Sequence, residues 1–287
     1  MGITCYWALL LSALLFGVSR VGFYESPANT RTYNSRVIDW MRSRFFRFMD
    51  IVVVPGHAAA ETVRAMGVQP SRIMQGFNAV DVSEFHRASS LAALQNCSVN
   101  SNFGHRYLYV GQLIHRKRVD AIIAAFTQIA TPYDELTILG SGSLRGELES
   151  MASLSNARIS FLEYAENSTV PAIMSSYHTL VLASEREVWG LVVNEALASG
   201  MHVVVTENCG VLPSVRGMRG IYAVDENLID LAKQMTASRR SWNGRILQPE
   251  ILRHTPERFA GVFDSAFILS LREKKFGRAQ TGERDEL

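Results

Sequence analysis

The fold of this 287-residue chain is decided by the stretch Thr179-Leu180-Val181-Leu182-Ala183 together with Glu187-Val188-Trp189-Gly190-Leu191-Val192-Val193-Asn194-Glu195. The apolar run 179–183 predicts a buried strand of a parallel sheet, and residues 191–199 predict a helix that Gly200 ends. Open sheets built from such units bind ligands at the carboxyl ends of their strands. We therefore expect the turn between the strand and the helix to lie at a binding site.

Two carboxylates lie on either side of the start of this helix, because Glu187 lies in the turn before it and Glu195 lies just over one turn into it. The first N–H groups of the helix, around Gly190 to Val192, have no partner within the helix and form its positive end, which attracts phosphate. The two acids can then bind the hydroxyls of the group that carries the phosphate. Their spacing alone leaves a second interpretation open, in which Glu195 is a solvated helix residue.

Three further motifs accompany this junction in a fixed order along the chain. They are Gly111-Gln112-Leu113-Ile114-His115-Arg116-Lys117, Ile138-Leu139-Gly140-Ser141-Gly142-Ser143-Leu144 and Ala196-Leu197-Ala198-Ser199-Gly200. With the segment from Ser184 to Glu195, they resemble the nucleotide-binding domain of retaining GT-B glycosyltransferases, in particular the large fourth family with its E-x7-E motif. The resemblance covers roughly residues 50 to 270, and four motifs in order are more specific than one Gly-rich turn.

The resemblance implies a role for each residue of the candidate site. Lys117 and Glu187 would be catalytic, since Lys117 matches the lysine that meets the donor diphosphate and Glu187 matches the acid that faces the donor sugar. Glu195 matches the acid that holds the ribose hydroxyls. The remaining donor-binding residues would act through the backbone or the phosphate site: Gly111, Gln112, Gly140, Trp189, Gly190, Leu191 and Val192.

Four of these residues also have a purely structural interpretation. Trp189 could serve packing, Lys117 could be an exposed cation, and Gly111 and Gly140 could simply satisfy turn geometry. Gln112 stands where many members of the family carry an arginine, so one charge is missing from the expected phosphate site.

The resemblance predicts transfer of a hexose from a nucleotide diphosphate sugar, with retention at the anomeric carbon, to a glycan or lipid-linked acceptor. The nucleotide sugar is then a co-substrate, and no further cofactor is expected. No Asp-x-Asp pair occurs in the sequence, so we expect no metal. A lysine and the end of a helix would stabilise the departing diphosphate instead.

Composition argues against several other classes of protein. The 29 basic and 27 acidic residues give no signal of nucleic-acid binding. Cys5, Cys97 and Cys209 have no paired spacing, which favours a reducing compartment and a cytoplasmic location. The apolar run Ile3 to Val18 resembles a signal peptide or membrane anchor within residues 1–20, which would make the protein membrane-anchored or secretory, but no basic residue precedes it and it is short for a membrane span. The family resemblance implies instead a buried helix of the first domain.

A second segment near the amino end, Val37 to Met49, predicts an amphipathic helix. Its apolar stripe consists of Val37, Met41, Phe45 and Phe48, with arginines between them. Such a helix suits either a protein core with a solvated basic edge or the surface of an anionic membrane. The second alternative would make the protein peripheral to a membrane.

The predicted fold class is α/β and GT-B-like, with a complete C-terminal Rossmann-like donor domain and a partial N-terminal Rossmann-like domain. We expect strands near 106–111, 135–139, 157–162, 178–183, 202–206 and 220–224, with helices between them. The predicted division is 1–86 for the acceptor-side domain, 87–254 for the nucleotide-sugar-binding domain, 255–275 for a helix that crosses back, and 276–287 for a flexible tail. Residues 87–104 are turn-rich and predict a linker.

A GT-B protein of the family has two complete domains, whereas here only residues 1–86 precede the predicted donor domain. The sequence is therefore expected to hold the whole donor half and a remnant of the acceptor half. This leaves a second function open: an inactive or partner-dependent module that binds a nucleotide sugar and needs another chain for catalysis. An epimerase or a phosphorylase of similar fold is a more remote alternative.

Overall fold

The computed structural model describes residues 3–30, 35–95, 104–163 and 165–282, and the chain divides into two compact units. Unit 1 comprises Met1–Asn78 and Pro256–Leu287, and unit 2 comprises Ala79–Thr255. The division therefore falls between Asn78 and Ala79, whereas the sequence predicts it between residues 86 and 87.

Unit 1 begins with a helix and contains a small parallel sheet. In chain order its first elements are α1 (Ile3–Leu15), β1 (Val21–Phe23), α2 (Arg36–Arg47), β2 (Ile51–Val54), α3 (His57–Ala65) and β3 (Ile73–Gln75). The strand order is β1-β2-β3, so β2 is central, and all four of its residues are buried.

Alternating side chains of β2 divide the core of unit 1 between the two faces of its sheet. Val52 and Val54 belong to a cluster with Leu10 of α1, Phe46 of α2 and Val63 of α3. Ile51 and Val53 instead meet the long last helix of the chain, which packs Ala266, Phe259 and Phe263 on that face. The apolar run of β2 is therefore explained by cover on both sides.

Helix α1 is only partly buried. Leu10 is 3% exposed and Trp7 packs edge-on against Phe45 of α2, with 5.7 Å between the ring centres. The opposite face leaves Leu11 and Leu15 exposed. The buried-helix interpretation thus describes one face of α1. Within the described residues, no helix is long and apolar enough to cross a membrane.

Unit 2 contains the larger parallel sheet. Its elements, in chain order, are α4 (Val82–Gln95), β4 (Arg106–Val110), α5 (Val119–Ile129), β5 (Glu135–Leu139), α6 (Arg145–Ser153), β6 (Arg158–Leu162), α7 (Val170–Met174), β7 (Thr179–Leu182), α8 (Leu191–Ala198), β8 (His202–Thr206), α9 (Leu212–Val215), β9 (Ile221–Val224) and α10 (Leu231–Ser241). All six predicted strands are confirmed.

The order of the strands in this sheet is β6-β5-β4-β7-β8-β9, and every neighbouring pair is parallel. This is the order of a dinucleotide-binding Rossmann sheet, in which the chain first builds outward in one direction and then restarts in the other. The reversal occurs between the neighbouring strands β4 and β7. A ligand crevice is expected at the carboxyl ends of these two strands.

The predicted linker 87–104 is wrong over its first part. Helix α4 runs from Val82 to Gln95, and its polar Ser89 is buried. Asp81 caps the helix, since its carboxylate accepts hydrogen bonds from the backbone N–H groups of Ser83 and Glu84, both at 3.1 Å. Residues 96–103 lie outside the described residues. The serines suggest turns, but here tertiary contacts outweigh their weak helix propensity.

The last helix, α11 (Pro256–Gly282), completes unit 1. It contacts β1, β2 and β3 of the same unit, as the predicted helix at 255–275 requires. Helix α11 continues through residues 276–282 of the tail predicted at 276–287, and residues 283–287 are outside the described part of the chain. The flexibility of this tail stays a prediction.

Candidate functional site

The candidate site lies in unit 2, where the loops after β4 and β7 meet. Gly111 directly follows β4, and Ser184 to Gly190 follow β7, which is the neighbouring strand in the sheet. Because both strands end at the same edge, their loops flank the crevice at which the order of the sheet reverses. The structure thus brings together the Lys117 and Glu187 segments that the sequence singles out.

Gly111 and Gly140 form a close contact between two adjacent loops. The Gly111 N–H donates to the Leu139 carbonyl at 3.0 Å, and both glycines adopt positive φ angles, 154° and 151°. A Cβ atom on Gly140 would lie 1.9 Å from the Gly111 carbonyl oxygen. Neither loop could take this path with a side chain at Gly140, so glycine here sets the floor of the crevice.

Gln112 leaves this floor with its side chain exposed. Its backbone carbonyl accepts a hydrogen bond from the phenol of Tyr109 at 2.8 Å, and Tyr109 itself is completely buried in β4. Burial raises the pKa of the Tyr109 phenol, and the nearby Glu187 carboxylate raises it further, so the phenol stays protonated and remains a donor. Tyr109 therefore anchors the start of the Lys117 loop.

Lys117 lies in a short 3-10 turn, His115–Lys117, whose backbone is tied to the loop after β7. The Arg116 carbonyl accepts a hydrogen bond from the Glu185 N–H at 2.8 Å, and the Arg116 guanidinium donates to the Arg186 carbonyl at 3.2 Å. These bonds join the two loops on either side of the crevice. Arg116 is thus a cross-link between the loops.

The Lys117 ammonium and the Glu187 carboxylate form an ion pair. Their side chains are 12% and 15% exposed, so solvent screens the pair less than it would on an open surface. Ser184 Oγ lies 3.4 Å from the same Glu187 oxygen. The two residues predicted to be catalytic are therefore in direct contact.

The backbone of Glu187 is held by the loop that follows β8. Its N–H donates to the Asn208 carbonyl at 3.3 Å, and its carbonyl accepts from the Gly210 N–H at 2.9 Å. Cys209, between them, forms the bridge partner of Glu187. Burial raises the pKa of the Cys209 thiol to about 12, which makes it a neutral packing residue.

Gly190 precedes α8 in a left-handed conformation with φ 93°. A Cβ atom there would lie 2.8 Å from Cys209 Sγ and 3.4 Å from Glu187 Cγ, so the glycine lets the helix begin directly beside the Glu187 side chain. No side chain caps this helix end in the described part of the chain. Trp189 is 5% exposed, as the packing interpretation predicts.

Glu195 faces a largely desolvated environment in α8, although it is not completely buried. Burial raises the pKa of its carboxyl from 4.5 to about 7. Among the residues that the structure describes, no cation is placed to form an ion pair with it. Desolvation of a carboxylate costs free energy, and carboxyl groups whose pKa is raised in this way occur preferentially at functional sites. Glu195 is therefore a candidate functional residue.

Three contributors to the site were missed by the sequence analysis: Tyr109, the Asn208–Gly210 loop and Arg145. The Arg145 guanidinium donates to the carbonyls of Gly140 at 3.2 Å and Leu162 at 3.3 Å, and thereby fixes the Gly140 loop against the end of β6. Arg145 could have been identified from the sequence, because it lies in the first turn after Gly-Ser-Gly-Ser. The Asn208–Gly210 loop could have been identified from Gly210, which follows shortly after the apolar strand 202–206.

Metal-ligating side chains do not cluster in the described part of the chain: no group of three or more His, Cys, Asp or Glu residues there could hold an ion. The charged groups available to a ligand at the candidate site include Lys117, Glu187 and Glu195, together with the amino end of α8.

Comparison with known proteins finds similarity to glycosyltransferases. Residues 104–238 match the protein family described as "Glycosyl transferases group 1". A curated relative, the uncharacterized glycosyltransferase MJ1607 of Methanocaldococcus jannaschii, is 28% identical over 142 residues, which are 48% of this chain and 36% of the relative. The aligned part is thus about a third of that relative's length. The residues that match this family all lie within unit 2.

Solved structures show the same fold. The lipopolysaccharide outer core galactosyltransferase WaaB in its apo form matches with a TM-score of 0.67 and 14% identity, over 97% of this chain and 74% of that one. Anabaena HepE in complex with UDP and glucose matches with a TM-score of 0.61 and 15% identity, over 91% and 74% of the two chains. The predicted α/β, GT-B-like fold with two Rossmann-like sheets is confirmed.

Proposed function

We propose that the protein is a retaining glycosyltransferase of the fourth family, which transfers a hexose from a nucleotide diphosphate sugar. The observation that carries the proposal is the arrangement of Lys117, Glu187 and Glu195 around the amino end of α8 at the reversal point of the unit 2 sheet. The match of residues 104–238 to the glycosyltransferase family supports it.

The donor would be bound by groups of three kinds. Lys117 and the N–H groups of Gly190, Leu191 and Val192 supply positive charge for the diphosphate. Glu195 accepts hydrogen bonds from the two ribose hydroxyls, which would hold the nucleoside. The glycine floor at Gly111 and Gly140 lets the backbone approach the phosphates, and exposed Gln112 supplies a neutral donor at its rim.

In the proposed reaction, the bond between the anomeric carbon and the diphosphate oxygen breaks, and a bond from the acceptor hydroxyl oxygen to that carbon forms on the same face. The acceptor proton passes to the departing diphosphate. The charge that develops on this leaving group is stabilised by Lys117 and the α8 amino end, while Glu187 orients the sugar. Fixed charges supply this stabilisation, so the proposal includes no metal and no further cofactor.

For the acceptor, the features of unit 1 favour a lipid-linked molecule over a free glycan. A cavity of about 590 Å³ there is lined mainly by apolar side chains, among them Trp7, Phe23, Met41 and Phe45. Its volume is in the range of small-molecule sites, and its lining suits an acyl or prenyl chain better than a sugar.

The exposed side of α2 supports a position at a membrane surface. The predicted apolar stripe is divided, because Phe45 and Phe48 pack against the core whereas Val37 is exposed. The solvent-facing side instead presents Trp40, 65% exposed, together with the arginines Arg44 and Arg47. Tryptophan and arginine on one face suit the headgroup region of an anionic bilayer. We propose a cytoplasmic protein that binds such a membrane peripherally.

The competing function is a binding module that holds a nucleotide sugar and acts only with a partner chain. It predicts the same donor affinity but no transfer by the isolated chain. Titration of the full chain with UDP, GDP, ADP, CDP and dTDP, and with their glucose conjugates, tests the shared donor site. A transfer assay with a lipid-linked acceptor, read by the anomeric configuration of the product, then distinguishes the two functions.

The titration has a control acid in the loop that precedes α8. Glu195→Ala should weaken nucleoside diphosphate binding by about tenfold or more, since a charged hydrogen-bond partner contributes about 1.5–3 kcal/mol. Glu185→Gln, on an exposed acid outside the proposed donor site, should leave it nearly unchanged. Binding by none of the nucleotides, or equal loss in both variants, would contradict the proposal. Transfer that survives EDTA would support the metal-free chemistry, and transfer that EDTA abolishes would contradict it.

A further inference from the structure

The ion pair between Lys117 and Glu187 joins two residues to which different parts of the donor are assigned. Lys117 is assigned to the diphosphate and Glu187 to the sugar, yet the two side chains bind each other directly. A diphosphate that approaches Lys117 therefore meets a cation whose charge is already balanced by a carboxylate. Glu187 and the diphosphate are competitors for the same ammonium group.

The backbone around the pair leaves little room for the two residues to separate by loop movement. The Lys117 loop is bonded to the Glu187 loop through the Arg116 carbonyl and guanidinium. The Glu187 backbone is bonded on both sides to the Asn208–Gly210 segment. Because these bonds hold both main chains in place, the competition must be settled by rotation of the two side chains.

An intact donor and its nucleoside diphosphate product differ in what they offer to Glu187. The hexose of the donor has hydroxyls that can donate hydrogen bonds to the carboxylate when Lys117 turns to the phosphates. The product lacks these hydroxyls, so displacing Lys117 from Glu187 leaves a partly buried carboxylate whose charge is no longer balanced and which keeps only the Ser184 hydroxyl beside it. Such an unbalanced charge is costly, and the cost falls on the product alone.

We propose that Glu187 acts as a specificity-determining residue, which weakens the binding of the free nucleoside diphosphate and thereby favours the intact nucleotide sugar. This inference rests on the proposed function, because it assumes that a diphosphate binds beside Lys117. It adds a role in product release to the sugar-facing role of Glu187. A site without this competition would hold its product more tightly and would turn over more slowly.

The test is a titration of the full chain with UDP, GDP, ADP, CDP and dTDP, in wild type and in Glu187→Gln. The glutamine keeps the size and polarity of the side chain but removes the charge that holds Lys117. We expect the nucleoside diphosphate that wild type binds to show about tenfold higher affinity for Glu187→Gln, which corresponds to about 1.4 kcal/mol. Affinity for the corresponding glucose conjugate should rise less or fall.

Three further variants make the result specific. Glu185→Gln removes the same charge two residues away without touching Lys117, so it measures the general effect of one fewer negative charge. The double variant Lys117→Gln/Glu187→Gln is compared with the single variant Lys117→Gln, in which there is no ammonium group to compete for. In that background, Glu187→Gln should give no gain in nucleoside diphosphate affinity. Circular dichroism of each variant checks that the fold is retained.

The outcomes separate the two proposals. Equal nucleoside diphosphate affinity in Glu187→Gln and Glu185→Gln would overturn the role in product release while leaving the donor site intact. A gain that persists in the double variant would also overturn it, because the effect would not pass through Lys117. Binding of no nucleotide by wild type or by any variant would overturn the proposed function itself.

Discussion

Gly140 lies against Gly111 so closely that a Cβ atom on Gly140 would be 1.9 Å from the Gly111 carbonyl oxygen. This contact places the loops after β4 and β5 edge to edge beneath the proposed diphosphate site. The contact involves backbone atoms on the Gly111 side, so no side chain can rotate to relieve a clash. The shape of the site thus depends on the absence of a Cβ atom at Gly140.

We expect Gly140→Ala to destabilise unit 2 by about 2–4 kcal/mol, because the clash and the positive φ angle each have a cost. Nucleoside diphosphate affinity should fall with it, since the loops must separate. Gly146→Ala is the matched control: no atom lies within 4 Å of the Cβ atom that alanine would add there, and the residue lies within α6, where alanine is the better helix former. Urea unfolding that shows equal stability for both variants would contradict the close contact.

The pKa of Glu195 predicts a pH-dependent penalty on folding. Its pKa is about 7 in the folded chain and 4.5 when unperturbed, so the folded state holds this proton more tightly. The stability contribution is therefore fully present below pH 4.5 and is lost as the pH rises through about 7. Glu195→Gln should gain stability relative to wild type over this range, by on the order of 2 kcal/mol.

The measurement is the difference in unfolding free energy between Glu195→Gln and wild type as a function of pH. Taking the difference removes the contributions of the other titrating groups, such as Asp134, whose pKa is lowered. A difference that stays constant between pH 4.5 and neutrality would show that the Glu195 carboxyl is not desolvated. The same variant should bind nucleoside diphosphates more weakly, because an amide replaces the carboxylate at the ribose.

Much of the fold can be predicted from the sequence, because buried parallel strands have a recognisable apolar pattern. Each strand of unit 2 is a short run of mostly apolar residues, and the site loops follow those runs directly. The Lys117–Glu187 contact has no such pattern, since the partners are 70 residues apart and meet only because β4 and β7 are neighbours. Helix α4 was not predicted because its serines indicate turns, whereas the burial of its apolar side chains Val82 and Phe85 outweighs that tendency.

Three histidines at the amino ends of β4, β7 and β8 predict sensitivity to acid. His105, His178 and His202 surround Trp242, with centroid distances to its ring of 4.9 to 5.9 Å. Burial, together with neighbouring positive charges, lowers the pKa of His105 from 6.5 to about 3 and that of His178 to about 4. Because the folded state resists protonation, unit 2 should lose stability as the pH falls below 6.5.

His178→Asn tests this cluster with little change in packing. His178 Nδ1 accepts a hydrogen bond from the Arg106 N–H at 3.1 Å, and the asparagine oxygen can take over that role. We expect the variant to lose less stability than wild type on acidification, by on the order of 2 kcal/mol near about pH 5. Hydrogen exchange of the β4 and β7 amides reports on unit 2 specifically. Parallel loss in both proteins would contradict the prediction.

The boundary of unit 2 gives the last prediction, since it decides which part of the chain folds alone. The structure begins this unit at Ala79, so that α4 belongs to it, and α4 contacts α7 and α8. Val82 and Phe85 are 1% and 8% exposed. A fragment of residues 79–255 should fold and bind nucleoside diphosphates as the full chain does. A fragment of residues 87–255 lacks both side chains and the Asp81 cap, which together contribute about 4–7 kcal/mol. It should therefore be largely unfolded or bind more weakly. Equal stability of the two fragments in urea would show that the unit begins at residue 87, as the turn-rich sequence predicts.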